Sequence, residues 1–157
     1  MAKPKLHKVV QLQEATASKS ELFNRRVFGL KDPVVRAASE TRAEGSPWIA
    51  LKYLDTSHEC FSAWGSDELR LFSGFIETLR QCSWEAVQRH NGLRLKTIDV
   101  ETIACGREAL KRVQKKVSPD ITFFELRVSR GVRVHGFRVA EAFFLVLLDR
   151  EHRLYPE

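Results

Sequence analysis

Cysteine is scarce in this sequence, and long apolar runs are missing altogether. The three cysteines, Cys60, Cys82 and Cys105, are odd in number, widely spaced and not set beside histidines at metal-ligand intervals. That excludes a disulfide framework and a zinc finger, and it suits buried free thiols in a reducing compartment. The apolar run from Phe143 to Leu148 is far short of the roughly 20 residues a spanning helix needs. The opening MAKPKLHKVV is basic but has no apolar segment behind it, so it does not read as a secretory leader. These absences predict a cytoplasmic protein with no membrane partner.

What is present is basic charge and enough apolar residues for one core. At 157 residues the chain reads as one compact domain with an added terminal segment. A formal charge of +6 fits a polyanion partner, because clustered lysines and arginines gain affinity from phosphates by releasing counterions; it fits equally a soluble protein that happens to be basic.

The strongest pattern lies between Ile121 and Tyr155. Phe124, Leu126 and Val128 alternate with Glu125 and Arg127, the chain turns at Ser129-Arg130-Gly131, and Val132 and Val134 alternate with Arg133 and His135. After a second turn near Ala140-Glu141, the apolar run Phe143 to Leu148 reads as a strand covered on both faces. This predicts a three-stranded antiparallel meander. Its apolar face would lie under a helix, and Glu125, Arg127, Arg133 and His135 would share the other face.

Upstream, residues 1–46 read as a basic, partly helical extension, with pieces around Ser20 to Phe28 and Asp32 to Glu44; Asp32 can cap the second, with Pro33 at its first position. Residues 47–157 read as the main α+β domain. Trp48 to Leu54 suits a half-covered strand. A helix is expected from Asp67, capped by Ser66, with Leu69, Phe72, Ile76 and Leu79 inward. A second is expected after Ser83, with Trp84 and Val87 inward. Between them and the meander lies an insert near residues 93–118, with a strand or extended link over Leu93 to Val100 and a helix over Ile103 to Lys116 that carries Ala109, Leu110 and Val113 inward. The basic run Lys111, Arg112, Lys115, Lys116 reads as a solvated helix face or an RNA contact.

A strand, two helices and a meander reading FELRVSRGVRVHGFRV and then FFLVLLDREHRLY resemble the RelE/ParE superfamily of bacterial toxins over the C-terminal two-thirds of the chain. The resemblance implies an antiparallel sheet, formed by the N-terminal strand and the meander, packed on a helical hairpin. It implies a toxin held inactive by a cognate antitoxin. The activity it implies is metal-independent and cofactor-free cleavage of messenger RNA, free or on the ribosome; a ParE-like gyrase inhibitor and a non-catalytic RNA- or protein-binding module are the alternatives. Arg133 falls at the family's middle-strand arginine, and Arg150 or Arg153 with Tyr155 at its terminal basic and aromatic positions. The extension and the insert are additions to the minimal pattern.

Cleaving RNA this way requires a base for the ribose 2′-hydroxyl, fixed cations on the phosphate and an acid for the leaving 5′-oxygen. Glu125 or His135 can be the base, Arg127 and Arg133 the clamp, and His152 or Tyr155 the acid. His135 enters from strand parity alone. Arg130, Arg138, Arg150, Arg153, Lys111 and Lys115 are the expected RNA contacts. A plain ion pair on a solvated sheet face would account for Glu125 and its arginines equally well.

Overall fold

The computed structural model describes residues 27–40 and 45–155, so most of the extension, including the expected helix over Ser20 to Phe28 up to residue 26, lies outside the described residues. In chain order the elements are α1 (Pro33–Glu40), β1 (Trp48–Ala50), a 3-10 turn (Phe61–Ala63), α2 (Ser66–Arg80), α3 (Trp84–Arg89), β2 (Lys96–Thr97), α4 (Arg107–Val117), β3 (Phe123–Arg127), β4 (Arg133–Val139) and β5 (Ala142–Asp149). The strands form one sheet in the order β1-β5-β4-β3-β2.

The meander β3-β4-β5 is antiparallel, as its alternation requires. The expected all-antiparallel sheet is corrected at its edge, where β1 runs parallel to β5, Ile49 opposite Phe143. Parallel pairing needs a long crossover, and the helices between β1 and β5 supply one. The strand also stops at Ala50 rather than Leu54, because the chain turns there with Leu54 N–H donating to Leu51 O at 3.0 Å.

Both faces of the sheet are covered. On one, Phe124, Leu126, Val132 and Val134 are buried with Phe75 and Leu79 of α2 and Trp84 and Val87 of α3, as the period-two reading anticipated; Val128 is half-buried beside them. The α2 stripe differs by one position. Phe75 turns inward in place of Ile76, and Leu69 and Ile76 are exposed, because the ring of Phe75 stacks on Phe72, which in turn packs against Phe61 and Trp64. Gly65 rather than Ser66 precedes α2, and its N–H donates to the Glu68 carboxylate at 2.6 Å. Ser83 caps α3 as expected, its Oγ accepting from Ala86 N–H at 3.2 Å.

The second face is covered by the insert. Ala109, Leu110, Val113 and Val117 of α4 pack with Phe123, Phe137, Phe144 and Val146. Gly106, which weakens a helix at Ile103, sits outside α4 as its cap at φ +74°, a conformation that favours glycine. Asp32 caps α1, accepting from Val34 and Val35 N–H at 2.8 and 3.3 Å. Within the extension, α1 docks on the domain, with Val35 fully buried in this second core.

An irregularity between His135 and Gly136 sets the second face. Val146 of β5 has no partner on β4, so Val146 and Leu147 both join the α4 core and Asp149 comes to lie opposite Arg133. Gly136 permits the close approach, since a Cβ there would stand 2.1 Å from Phe144 O and 2.8 Å from the Phe143 ring. Gly136→Ala should therefore cost about 3 kcal/mol by overpacking, read as a lower urea midpoint at unchanged slope. An unchanged midpoint would show that the bulge relaxes freely.

Candidate functional site

Strand parity brings the expected residues together. Glu125 pairs across the ladder with His135, and Arg127 with Arg133. The Arg133 Nε lies 3.7 Å from Glu125 Oε1, and His152 Nε2 lies 3.9 Å from Glu125 Oε2. The sheet face that carries them is not solvated, however. Glu125, Arg133 and His135 are all buried, because α4 and the C-terminal residues 150–155 fold over that face.

Asp149, read from sequence only as the charged end of an apolar strand, organises that return. It is fully buried; its Oδ1 accepts from Arg153 N–H at 2.7 Å and its Oδ2 from Leu154 N–H at 3.1 Å, with His135 Nε2 at 3.3 Å. Burial alone would raise its pKa; the bond from His135 and the two amides more than offset this and hold the carboxyl below its usual value. Glu59 was also missed by sequence reasoning. Almost fully buried, it accepts from Trp64 Nε1 at 2.5 Å, Arg150 N–H at 3.0 Å and Arg153 Nη2 at 3.1 Å, tying the 58–61 loop to the chain end. A Glu followed five residues later by Trp was the available signal, and nothing local distinguishes it from a surface loop. His58 beside it is held below the usual histidine value by burial, and further by the Arg153 charge.

Around this cluster the cations divide. Arg127 is half-buried with Nε unpartnered, while Arg130 and Arg153 are exposed. Arg150 donates to Ala63 O and lies 3.5 Å from Glu151. Arg138 lies apart, its guanidinium 5.0 Å over the Trp84 ring and its Nε donating to Ala140 O at 2.7 Å. Tyr155 also stands apart from the cluster. Its hydroxyl donates to Asp99 O and accepts from Asp99 N–H, each at 3.2 Å, with Thr102 Oγ1 at 3.1 Å. Lys111 pairs with Glu101 at 2.9 Å on α4, and Lys115 is exposed there.

Two atoms facing one another lack partners. Glu125 Oε2 and His152 Nε2 are shielded from solvent and make no hydrogen bond, and His152 occupies φ +54°, an uncommon conformation for a side-chain-bearing residue. A carboxylate beside an imidazole can take up and deliver protons, and Arg127, two residues on from Glu125 along the same strand face, can hold an anion. Among the described residues, no group of three or more His, Cys, Asp or Glu side chains is arranged to hold a metal ion, and no helix is long and apolar enough to cross a membrane.

The pKa directions carry a stability prediction. Asp32, Asp55 and Asp149 are all held below the usual 3.8, Asp32 at about 2 because Lys52, Tyr53 and two amides outweigh its burial. The unfolded chain therefore binds protons first on acidification. Stability present above the unfolded value should be lost as pH falls from roughly 5 towards 2, measured as the urea midpoint. A midpoint that is flat over that range would refute the pairing of these carboxylates.

The fold and site together define an α+β protein with a mixed five-stranded sheet covered on both faces. Compared with known proteins, the chain matches no family model, no curated protein and no solved structure.

Proposed function

We propose that the chain is a RelE/ParE-like toxin that cleaves RNA without a metal, with Glu125 and His152 as its proton-transfer pair. The observation that carries the reading is the approach of Glu125 Oε2 to His152 Nε2, 3.9 Å apart and neither otherwise bonded. Both atoms are shielded in the free chain, so RNA must first displace the residues that cover them; Glu125 then takes the proton from a ribose 2′-hydroxyl, and the 2′-oxygen attacks phosphorus. The bond to the 5′-oxygen breaks as protonated His152 delivers a proton to it, leaving a 2′,3′-cyclic phosphate and a 5′-hydroxyl. Arg127 and Arg153 hold the phosphate charge. Arg133 and His135 position this pair from beneath rather than touching RNA, since Arg133 Nη1 is committed to Ser129 O and His135 to Asp149.

A second reading, a non-catalytic RNA-binding module, is favoured by that same commitment of Arg133 and His135 to internal bonds and by the distance of Tyr155 from the cluster. Incubating the purified chain with messenger RNA, with and without ribosomes, and mapping new 5′ ends decides between them. Defined new 5′-hydroxyl ends support the nuclease. Uncut RNA that is nonetheless bound supports the module, and growth arrest through gyrase with intact RNA supports the ParE-like alternative.

An antitoxin is the partner this function needs. The outer edge of β1, where Trp48 is half exposed, offers a place for an added strand. Purification from a host carrying the native locus should recover a small co-encoded protein. Repeated recovery of a lone chain without growth effect would favour the binding module.

A further inference from the structure

The outward face of α4 is more basic than a solvated helix face requires. Ala109, Leu110, Val113 and Val117 point into the core, which turns Lys111, Arg112, Lys115 and Lys116 outward along one stripe. Segments on either side add more cations. Lys31 docks at the C-terminal end of α4 through its N–H on Val117 O at 2.9 Å, and its ammonium reaches Lys115 O at 3.4 Å. Lys52 flanks the other side.

Three of the acids nearby are already engaged, while Glu108 in the first turn of α4 stands exposed. Asp55 pairs with Arg112 at 2.6 Å, Glu101 with Lys111 at 2.9 Å and Asp32 with Lys52 at 2.7 Å. Lys31, Lys115 and Lys116 are exposed and form no ion pair among the described residues. The C-terminal dipole of α4, worth about half a charge, accounts for one such lysine and not for three. Like charges gathered this way repel, and an external anion relieves that cost.

The stripe is also flanked by hollows. On one side lies a hollow of about 350 Å³ lined by Lys31, Lys111, Gln114, Lys115 and Pro119. On the other lies one of about 160 Å³ with Lys52, Arg112 and Lys116 on its walls. This second hollow shares Ala109 and Arg112 with a cleft of about 480 Å³ that runs on past Arg107 to His58, beside the buried cluster.

With RNA as the ligand of the function proposed above, we infer that α4 carries a second RNA-binding surface, on which the backbone of single-stranded RNA follows Lys31, Lys115 and Lys116. The partner is single-stranded because the cations line hollows on both sides of a helix, which suits a flexible backbone better than a rigid duplex. The aromatic ring in the hollow linings, Tyr53, is half-buried, with the Lys52 ammonium over it and its hydroxyl donating to Asp32, so it offers no free stacking face and the contact is electrostatic and indifferent to sequence. An insert absent from the minimal toxin pattern thereby lengthens the RNA contact beyond the cleavage site.

The test is the salt dependence of binding of a fluorescent single-stranded oligoribonucleotide to the full chain. The triple variant K31Q/K115Q/K116Q should lower the slope of log affinity against log salt by about 2, at roughly 0.7 per lost contact. K31R/K115R/K116R should retain the parent slope, and all three chains should melt together. An unchanged slope in the glutamine variant overturns the surface, as does an acidic peptide or a duplex that displaces the oligonucleotide at lower concentration than unlabelled single strand does. Failure of the two readings is separable. A chain that cleaves RNA with its glutamine variant binding like the parent loses only this surface; a chain that cuts nothing yet shows the slope change loses only the nuclease.

Discussion

An Arg133→Ala chain should be destabilised by roughly 3–5 kcal/mol, the cost of breaking a buried ion pair from one side. Arg133 is 6% exposed; its Nη1 donates to Ser129 O at 2.7 Å and to Arg130 O and Val132 O at 3.2 Å each, and its Nε faces Glu125 at 3.7 Å. Removing it strips the β3-β4 turn of its internal donor and leaves Glu125 buried without that charge. The double change Glu125→Gln with Arg133→Met should cost less than Arg133→Ala alone, because no uncompensated charge is left inside. Urea unfolding of the three chains measures this. A loss of under about 1 kcal/mol for Arg133→Ala would mean that the arginine is not a support for the fold. From sequence, Arg133 reads as part of a phosphate clamp; its burial is what makes a loss of stability the expected result here.

His152→Ala should slow RNA cleavage ~100-fold or more while leaving stability nearly unchanged, in line with losing a general acid or base. The imidazole has no hydrogen-bond partner to lose and lies at the margin of the cluster, its side chain 19% exposed. Glu125→Gln should slow cleavage similarly, since a neutral amide cannot accept the 2′-proton, and RNA binding should change little in either variant. Tyr155→Phe should cut RNA like the parent, because the hydroxyl is engaged with Asp99 and Thr102. Cleavage by His152→Ala at the parent rate would end the assignment of this pair.

Local periodicity carries its information in the backbone, and it made much of the sheet legible. Alternation in FELRV and RVHGF places Glu125 beside His135 and Arg127 beside Arg133 because side chains change face at every residue. The caps of α1 and α3, and the inward residues of α3 and α4, follow from the same kind of short-range rule. The choice between Phe75 and Ile76 on α2 was not legible, since both fit a helical stripe and only the rings of Phe61, Phe72 and Trp64 decide it.

By itself the sequence determined which side chains share a strand face, because a period of two is a property of the chain alone. Only the tertiary structure decided that the polar face is buried. Burial depends on α4 covering the sheet, on a bulge at Val146 that brings Asp149 to Arg133, and on Glu59, some 90 residues away in sequence, receiving the amide of Arg150. Those contacts are long-range, so no local pattern encodes them. They bury Arg133, which reads from sequence as part of the phosphate clamp, and His135, which reads as a candidate base.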